Sequence, residues 1–149
     1  MQRRKFLGLG VMAVMASLPA SLMALDYRKE KPDTWTAKTQ DDAIKKLFGD
    51  IKPVDGGIDL KVPKIANNGG AIPVGFKTDL PAKTVAVFQN VNPESTVAVY
   101  TIPEGAVVDY LLKIKMKKSG AITVIVETKD GKFHKVSKTL EVALGGCEG

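Results

Sequence analysis

The sequence predicts a mainly β protein: one immunoglobulin-like antiparallel β-sandwich with a short N-terminal helix and a flexible C-terminal arm. Three observations predict it. From Gly56 onward apolar and polar residues alternate with a period of two, as in half-buried strands. Turn signals such as Asn67-Asn68-Gly69-Gly70 and Lys129-Asp130-Gly131-Lys132 divide this region into about seven short segments, the spacing of a sandwich. Only one stretch before it, Thr39–Gly49, carries a helical stripe.

The chain of 149 residues suits one domain, and 44% hydrophobic with 26% charged residues suits a soluble globular protein. Residues 1–24 read as an export signal, with Arg3-Arg4-Lys5 at the charged start, an apolar run and small residues near Ala24. The Arg3-Arg4 pair followed by Phe6-Leu7 points to the twin-arginine route and hence to the periplasm, with cleavage after Ala24. The competing reading is an uncleaved membrane anchor, which Gly8, Gly10 and Pro19 weaken. Without that segment nineteen basic residues face 16 acidic ones, a balance of +3. So mild an excess, without a basic stripe interleaved with aromatics, gives no argument for nucleic acid, and none is expected as a partner.

Residues 25–38 are polar, contain Pro32 and Trp35, show no period and read as an extended leader. Residues 39–144 form the β-sandwich domain with its N-terminal helix. Thr39 suits an N-cap, Asp41 and Asp42 the positive end and Gly49 the stop, while Ile44, Leu47 and Phe48 share a packing stripe. Strands are expected over Ile58–Val62, Ala71–Lys77, Lys83–Gln89, Ser95–Ile102, Val107–Met116, Ala121–Thr128 and Phe133–Leu144. Pro73 places the second at an edge or bulge. Lys138 falls out of phase with Val136, which predicts a bulge or a switch of sheet near Ser137. Two strands are apolar on both faces: Val85 and Val87 oppose Ala86 and Phe88, and Val97 and Val99 oppose Ala98, Tyr100 and Ile102. Either the N-terminal helix or a partner subunit covers the second face.

Catalytic materials are scarce. His134 is the only histidine and reads as a surface residue of a Lys- and Ser-rich strand, not a base or ligand. No metal-ligand set, phosphate loop or nucleophile elbow is present, so the expectation is no catalytic residue, no metal and no cofactor. The chemistry concentrates in residues 145–149, Gly145-Gly146-Cys147-Glu148-Gly149. Cys147 is the only cysteine, so no internal disulfide can form, and an unpaired thiol is unusual after export. Gly145, Gly146 and Gly149 have no side chain to build a core around it, which predicts a slender swinging arm. Two residues follow Cys147, one fewer than a prenylation box requires. Glu148 and the terminal carboxylate disfavour the thiolate, so the thiol should titrate near or above about 8.5. A sluggish thiol suits a carrier more than a protease or a redox sensor. From Leu144 to Cys147 the arm spans about 10 Å when extended, enough to enter a narrow channel.

These residues carry a resemblance. The Gly-Gly-Cys-Glu-Gly tail, the twin-arginine start, the stretch Gly56–Val74 (GGIDLKVPKIANNGGAIPV), the NVNPES segment and the TKDGK hairpin resemble SoxY, the sulfur-carrying subunit of the SoxYZ complex of bacterial thiosulfate oxidation. The resemblance implies a non-enzyme that holds sulfur intermediates covalently on Cys147. It implies a SoxZ-like subunit as heterodimer partner. It further implies transient docking to a SoxAX-like haem enzyme that loads thiosulfate, to a SoxB-like hydrolase that releases sulfate, and to a sulfane dehydrogenase where one is present. The family tail ends Gly-Gly-Cys-Gly-Gly, so Glu148 is a departure that adds bulk and charge beside an anionic cargo and tunes loading. The alternative is an exported interaction subunit whose Cys147 only ties two chains by a disulfide. A thiol enzyme acting unaided is disfavoured, since no base neighbours Cys147.

Overall fold

The computed structural model describes residues 25–143. The expected signal segment 1–24 and the expected arm 145–149, with Leu144 before it, lie outside them. Three helices lead: α1 (Tyr27–Glu30), α2 (Pro32–Thr36) and α3 (Gln40–Phe48). Nine strands follow: β1 (Val54–Asp55), β2 (Asp59–Lys61), β3 (Ile65–Ala66), β4 (Ile72–Thr78), β5 (Ala82–Gln89), β6 (Thr96–Thr101), β7 (Val108–Ile114), β8 (Gly120–Thr128) and β9 (Phe133–Val142). None of the described helices is long and apolar enough to cross a membrane.

Two sheets face each other. The larger runs β1-β9-β8-β5-β6, with β3 also on β9; the smaller runs β2-β4-β7. Their inner faces share one core, in which Val85, Val87, Val124 and Val126 meet Leu60, Ile72, Val74 and Phe76. Near one end Phe76, Tyr100 and Tyr110 pack as an aromatic trio with centroids 5.2–6.1 Å apart. Burial and the neighbouring Tyr110 push the Tyr100 hydroxyl above its usual pKa.

The seven expected strands are present. Two more, β1 and β3, run parallel to β9, so the larger sheet is mixed where the sequence predicts an antiparallel one. Each has two residues, too few to show a period. Pro73 pairs with Lys113 of β7 but lies beyond the end of β2, where β4 has a free side. There its missing N–H costs no ladder bond.

Two expectations are corrected and one open alternative is decided. Residues 25–38 are not extended: they carry α1 and α2. Pro32 opens α2 at its first turn, where a proline lacks nothing the helix needs. Hydrogen bonds, not periodicity, hold this segment: the Thr34 hydroxyl donates to the Ala43 carbonyl at 2.8 Å and the Thr96 hydroxyl to the Thr34 carbonyl at 2.8 Å. Secondly, β8 and β9 pair without a shift from Gly120↔Leu140 to Glu127↔Phe133, so no bulge occurs near Ser137. Lys138 stays on the core-facing side between Val136 and Leu140. It reaches solvent because β1 pairs β9 only through Lys135 and β3 only from Glu141. Of the two covers expected for the doubly apolar strands, the helix is the one seen over β5 and β8, while β6 stays half-buried. Ala86, Phe88 and Ile125 on the outer face are fully buried beneath Ala43 and Leu47 of α3, with Tyr27, Ile44, Phe48 and Ile51 around them. Each large side chain sealed there contributes roughly 1.5–3 kcal/mol.

The helix α3 has the expected ends. Thr39 accepts from the Asp42 amide at 3.2 Å and the Gly49 amide closes on the Lys45 carbonyl at 2.8 Å.

Candidate functional site at the root of the arm

The expected site residues Gly145, Gly146, Cys147, Glu148 and Gly149 lie outside the described residues. What the structure does place is the root from which they depart. The strand β9 runs ten residues from the tight turn at Gly131 and ends at Val142, one residue before Ala143.

Three segments distant in sequence hold that end. In the first, the Glu141 amide donates to the Lys64 carbonyl and the Ala143 amide to the Ala66 carbonyl, both at 2.9 Å. The second is the β7–β8 loop: the Val142 amide donates to Ser119 Oγ at 2.9 Å. Both faces of the terminal backbone are therefore engaged up to Ala143.

The β7–β8 loop is itself held by the β5–β6 loop, the third segment. Asn92 Nδ2 donates to the Lys115 carbonyl at 2.6 Å, and the Lys117 amide donates to Asn92 Oδ1 at 3.1 Å. Asn90 Oδ1 accepts from the Ala121 amide at 2.9 Å. Gln89, almost fully buried, shapes this loop by accepting from the Val91 and Asn92 amides and donating to the Glu94 carbonyl. Gly120 sits where these loops meet. A Cβ there would stand 2.3 Å from Val91 Cγ1 and 2.6 Å from Asn90 Oδ1, so only glycine fits without a shift. The turn at Asn67–Gly70 joins the same assembly, since the Gly69 carbonyl accepts from the Met116 amide at 2.9 Å.

Along the chain Asn68, Asn90 and Asn92 read as turn formers. In the fold Asn90 and Asn92 also tie loops together through their side chains, and no period along the chain records that. Beside the root lies an open depression of about 500 Å³ lined by Lys64, Ser119, Gly120, Thr139, Leu140 and Glu141. Lys64 is exposed, as are its chain neighbour Ile65 and Lys117 and Lys118, which precede Ser119.

His134 lies away from this end. It is half-buried, with its Nδ1 3.3 Å from the position a Cβ on Gly57 would take. Among the described residues no group of three or more His, Cys, Asp or Glu could hold a metal ion.

The family model of the sulfur oxidation protein SoxY matches residues 44–147. The chain belongs to the SoxY family. The match ends on Cys147 and contains all three segments that brace the root. Among solved structures, the sulfur carrier protein SoxY from Chlorobium limicola f. thiosulfatophilum is 28% identical. That alignment covers 70% of this chain and 96% of that one, with a TM-score of 0.64. A superoxide reductase (neelaredoxin) from Ignicoccus hospitalis shares the fold at 15% identity, with a TM-score of 0.53 over 59% of this chain and 81% of that one. No curated protein matches.

Proposed function

We propose that this SoxY-family chain is a periplasmic sulfur carrier in thiosulfate oxidation, with Cys147 as the covalent attachment point. The observation that carries the reading is positional: the SoxY match runs to Cys147, and the fold fixes the backbone through Ala143, four residues earlier. A thiol so placed works from a defined point on a rigid body.

The chemistry expected at Cys147 is carried out by other proteins. Coupling the thiol to thiosulfate forms a sulfur–sulfur bond to give Cys-S-S-sulfonate. It releases one proton and passes two electrons to the haem of a SoxAX-like enzyme. A SoxB-like hydrolase then adds water across the sulfur–sulfonate bond. Sulfate leaves with two protons, and a persulfide remains on Cys147 for a sulfane dehydrogenase where one takes part. The chain supplies no catalytic group to either step. A SoxZ-like subunit is the heterodimer partner the family implies, and the twin-arginine address would export the two together.

Intact-protein mass spectrometry tests this on material purified without reductant. The expected result is a set of additions on Cys147 matching sulfur, sulfonate and thiosulfate, all removed by thiol reductant. A chain that carries only an intermolecular Cys147 disulfide, and loses function when reduced, would establish the tying role instead. Glu148→Gly is expected to load thiosulfate at least as fast as the parent, because it removes bulk and negative charge beside the anionic cargo. Slower loading would make Glu148 part of a matched recognition surface.

A further inference from the structure

The arm is short, and its length dictates what must touch its root. Cys147 stands four residues beyond Ala143, so it reaches at most about 14 Å from that anchor. An enzyme whose reacting atoms lie within a channel can receive Cys147 only by bringing the channel mouth against the surface around Ala143. The composition of that surface therefore selects the mouth.

The surface is cationic with an apolar centre. Lys64 immediately precedes β3, whose pairing holds Ala143, and Lys117 and Lys118 immediately precede Ser119, which holds Val142. All three lysines are exposed. These three are among the ten described lysines that form no ion pair within the described residues, and they adjoin the residues that brace the root. Ile65, 58% exposed, follows Lys64 in the chain and pairs with Glu141. Among the residues lining the depression Glu141 is the carboxylate and Lys64 the ammonium group, with Lys117 and Lys118 next in sequence to Ser119 of that lining. Unneutralised lysines beside an exposed isoleucine complement a rim of carboxylates around an apolar lip.

We propose that Lys64, Ile65, Lys117 and Lys118 form a seat for the acidic rim of the enzyme channels that take in the arm. The proposal rests on the carrier reading for the role of Cys147. It adds the chemistry of the partner surface and the residues that choose it.

The test uses the purified, reduced protein with any tightly bound subunit left in place. Its Cys147 is alkylated by a maleimide carrying five glutamates, by one carrying five serines and by N-ethylmaleimide. At low ionic strength the glutamate probe should react about tenfold faster than the serine probe. At about 0.5 M salt, where the screening length falls to a few ångström, the two rates should converge. Replacing Lys64, Lys117 and Lys118 by serine should abolish the preference at low salt. Replacing Lys83, Lys129 and Lys132 at the opposite end, an equal change of net charge, should preserve it. A preference that the two triple variants lose equally, or that is absent from the parent, would overturn the seat and reduce it to net charge. Failure of N-ethylmaleimide to modify native Cys147 would instead overturn the carrier reading beneath it.

Discussion

The two ends of β9 are held by different means. At its start the chain closes on itself within five residues: the Thr128 amide donates to the Lys132 carbonyl, the Gly131 amide to the Thr128 carbonyl, and Thr128 Oγ1 to the Asp130 carboxylate. Charges there are matched, with Lys132–Asp130 at 3.0 Å, Lys129–Glu104 at 2.7 Å and Lys83–Glu127 at 2.8 Å. At its finish, among the described residues, the backbone bonds run to segments distant in sequence. Residues 64–66, 90–92 and 115–120 come together to hold Glu141, Val142 and Ala143, and the lysines Lys64, Lys117 and Lys118 beside them form no ion pair among the described residues. A turn that only reverses direction can be written in five consecutive residues. A strand end held only by segments far away in the chain has to be assembled from afar.

The sharpest way to break this contrast is a pair of glycine substitutions. Gly120→Ala drives a Cβ into Val91 and the Asn90 carboxamide, which holds the Ala121 amide. Overpacking of this kind costs about 1–3 kcal/mol. Gly131 has φ +80° and open space within 4 Å of where a Cβ would stand, so Gly131→Ala adds no clash and costs only the left-handed penalty of about 1–2 kcal/mol. Urea unfolding should rank the two in that order. Amide exchange should quicken at Ala121 and Val142 in the first variant and near Thr128 in the second. Equal losses with no change at Val142 would show that the loops do not act as one brace.

The same contrast explains what was legible in the sequence. The helix α3 announced itself through Thr39, Asp41, Asp42 and Gly49, all within one short window. The β8–β9 hairpin did so through Asp130-Gly131, and the long strands through alternation. The helix α2 was hidden because Thr34 and Thr96, sixty-two residues apart, hold it by side-chain bonds, and α1 because the Tyr27 hydroxyl reaches Thr84 in β5. The cover over Phe88 and Ile125 was hidden because alternation shows that a face is apolar without showing what lies upon it. The arm was visible as Gly-Gly-Cys, a composition that needs no partner to be recognised. Its brace was not, because Ser119, Asn90 and Asn92 act on residues 23 to 31 positions away.

A smaller perturbation isolates the last contact before the arm. Ser119→Ala removes the acceptor of the Val142 amide and creates no clash. The site is exposed, so water replaces the hydroxyl and the loss should be about 0.5–1.5 kcal/mol. The Val142 amide should exchange faster, while the Gly131 amide at the other end keeps its protection. Unchanged exchange at Val142 would mean that the β3 ladder fixes the root without Ser119.

Acid should act on the other end first. The Thr128 hydroxyl and the Lys132 ammonium hold the Asp130 carboxyl down to about 2, against an ordinary value of about 3.9. A carboxylate depressed in the folded state stabilises it fully above the unfolded value, and that contribution fades as pH falls toward the folded one. The hairpin end should therefore loosen between about pH 4 and pH 2. The group is solvent-exposed, so the change in overall stability will be small and the local readout is the informative one. Carbon-detected titration of Asp130 should give a midpoint of about 2. Asp130→Asn should flatten the acid dependence of amide exchange at Thr128 and Gly131 and leave that of Val142 as it was. If Val142 responds as strongly as Thr128, β9 transmits the loss along its length, and the two ends are not independently held.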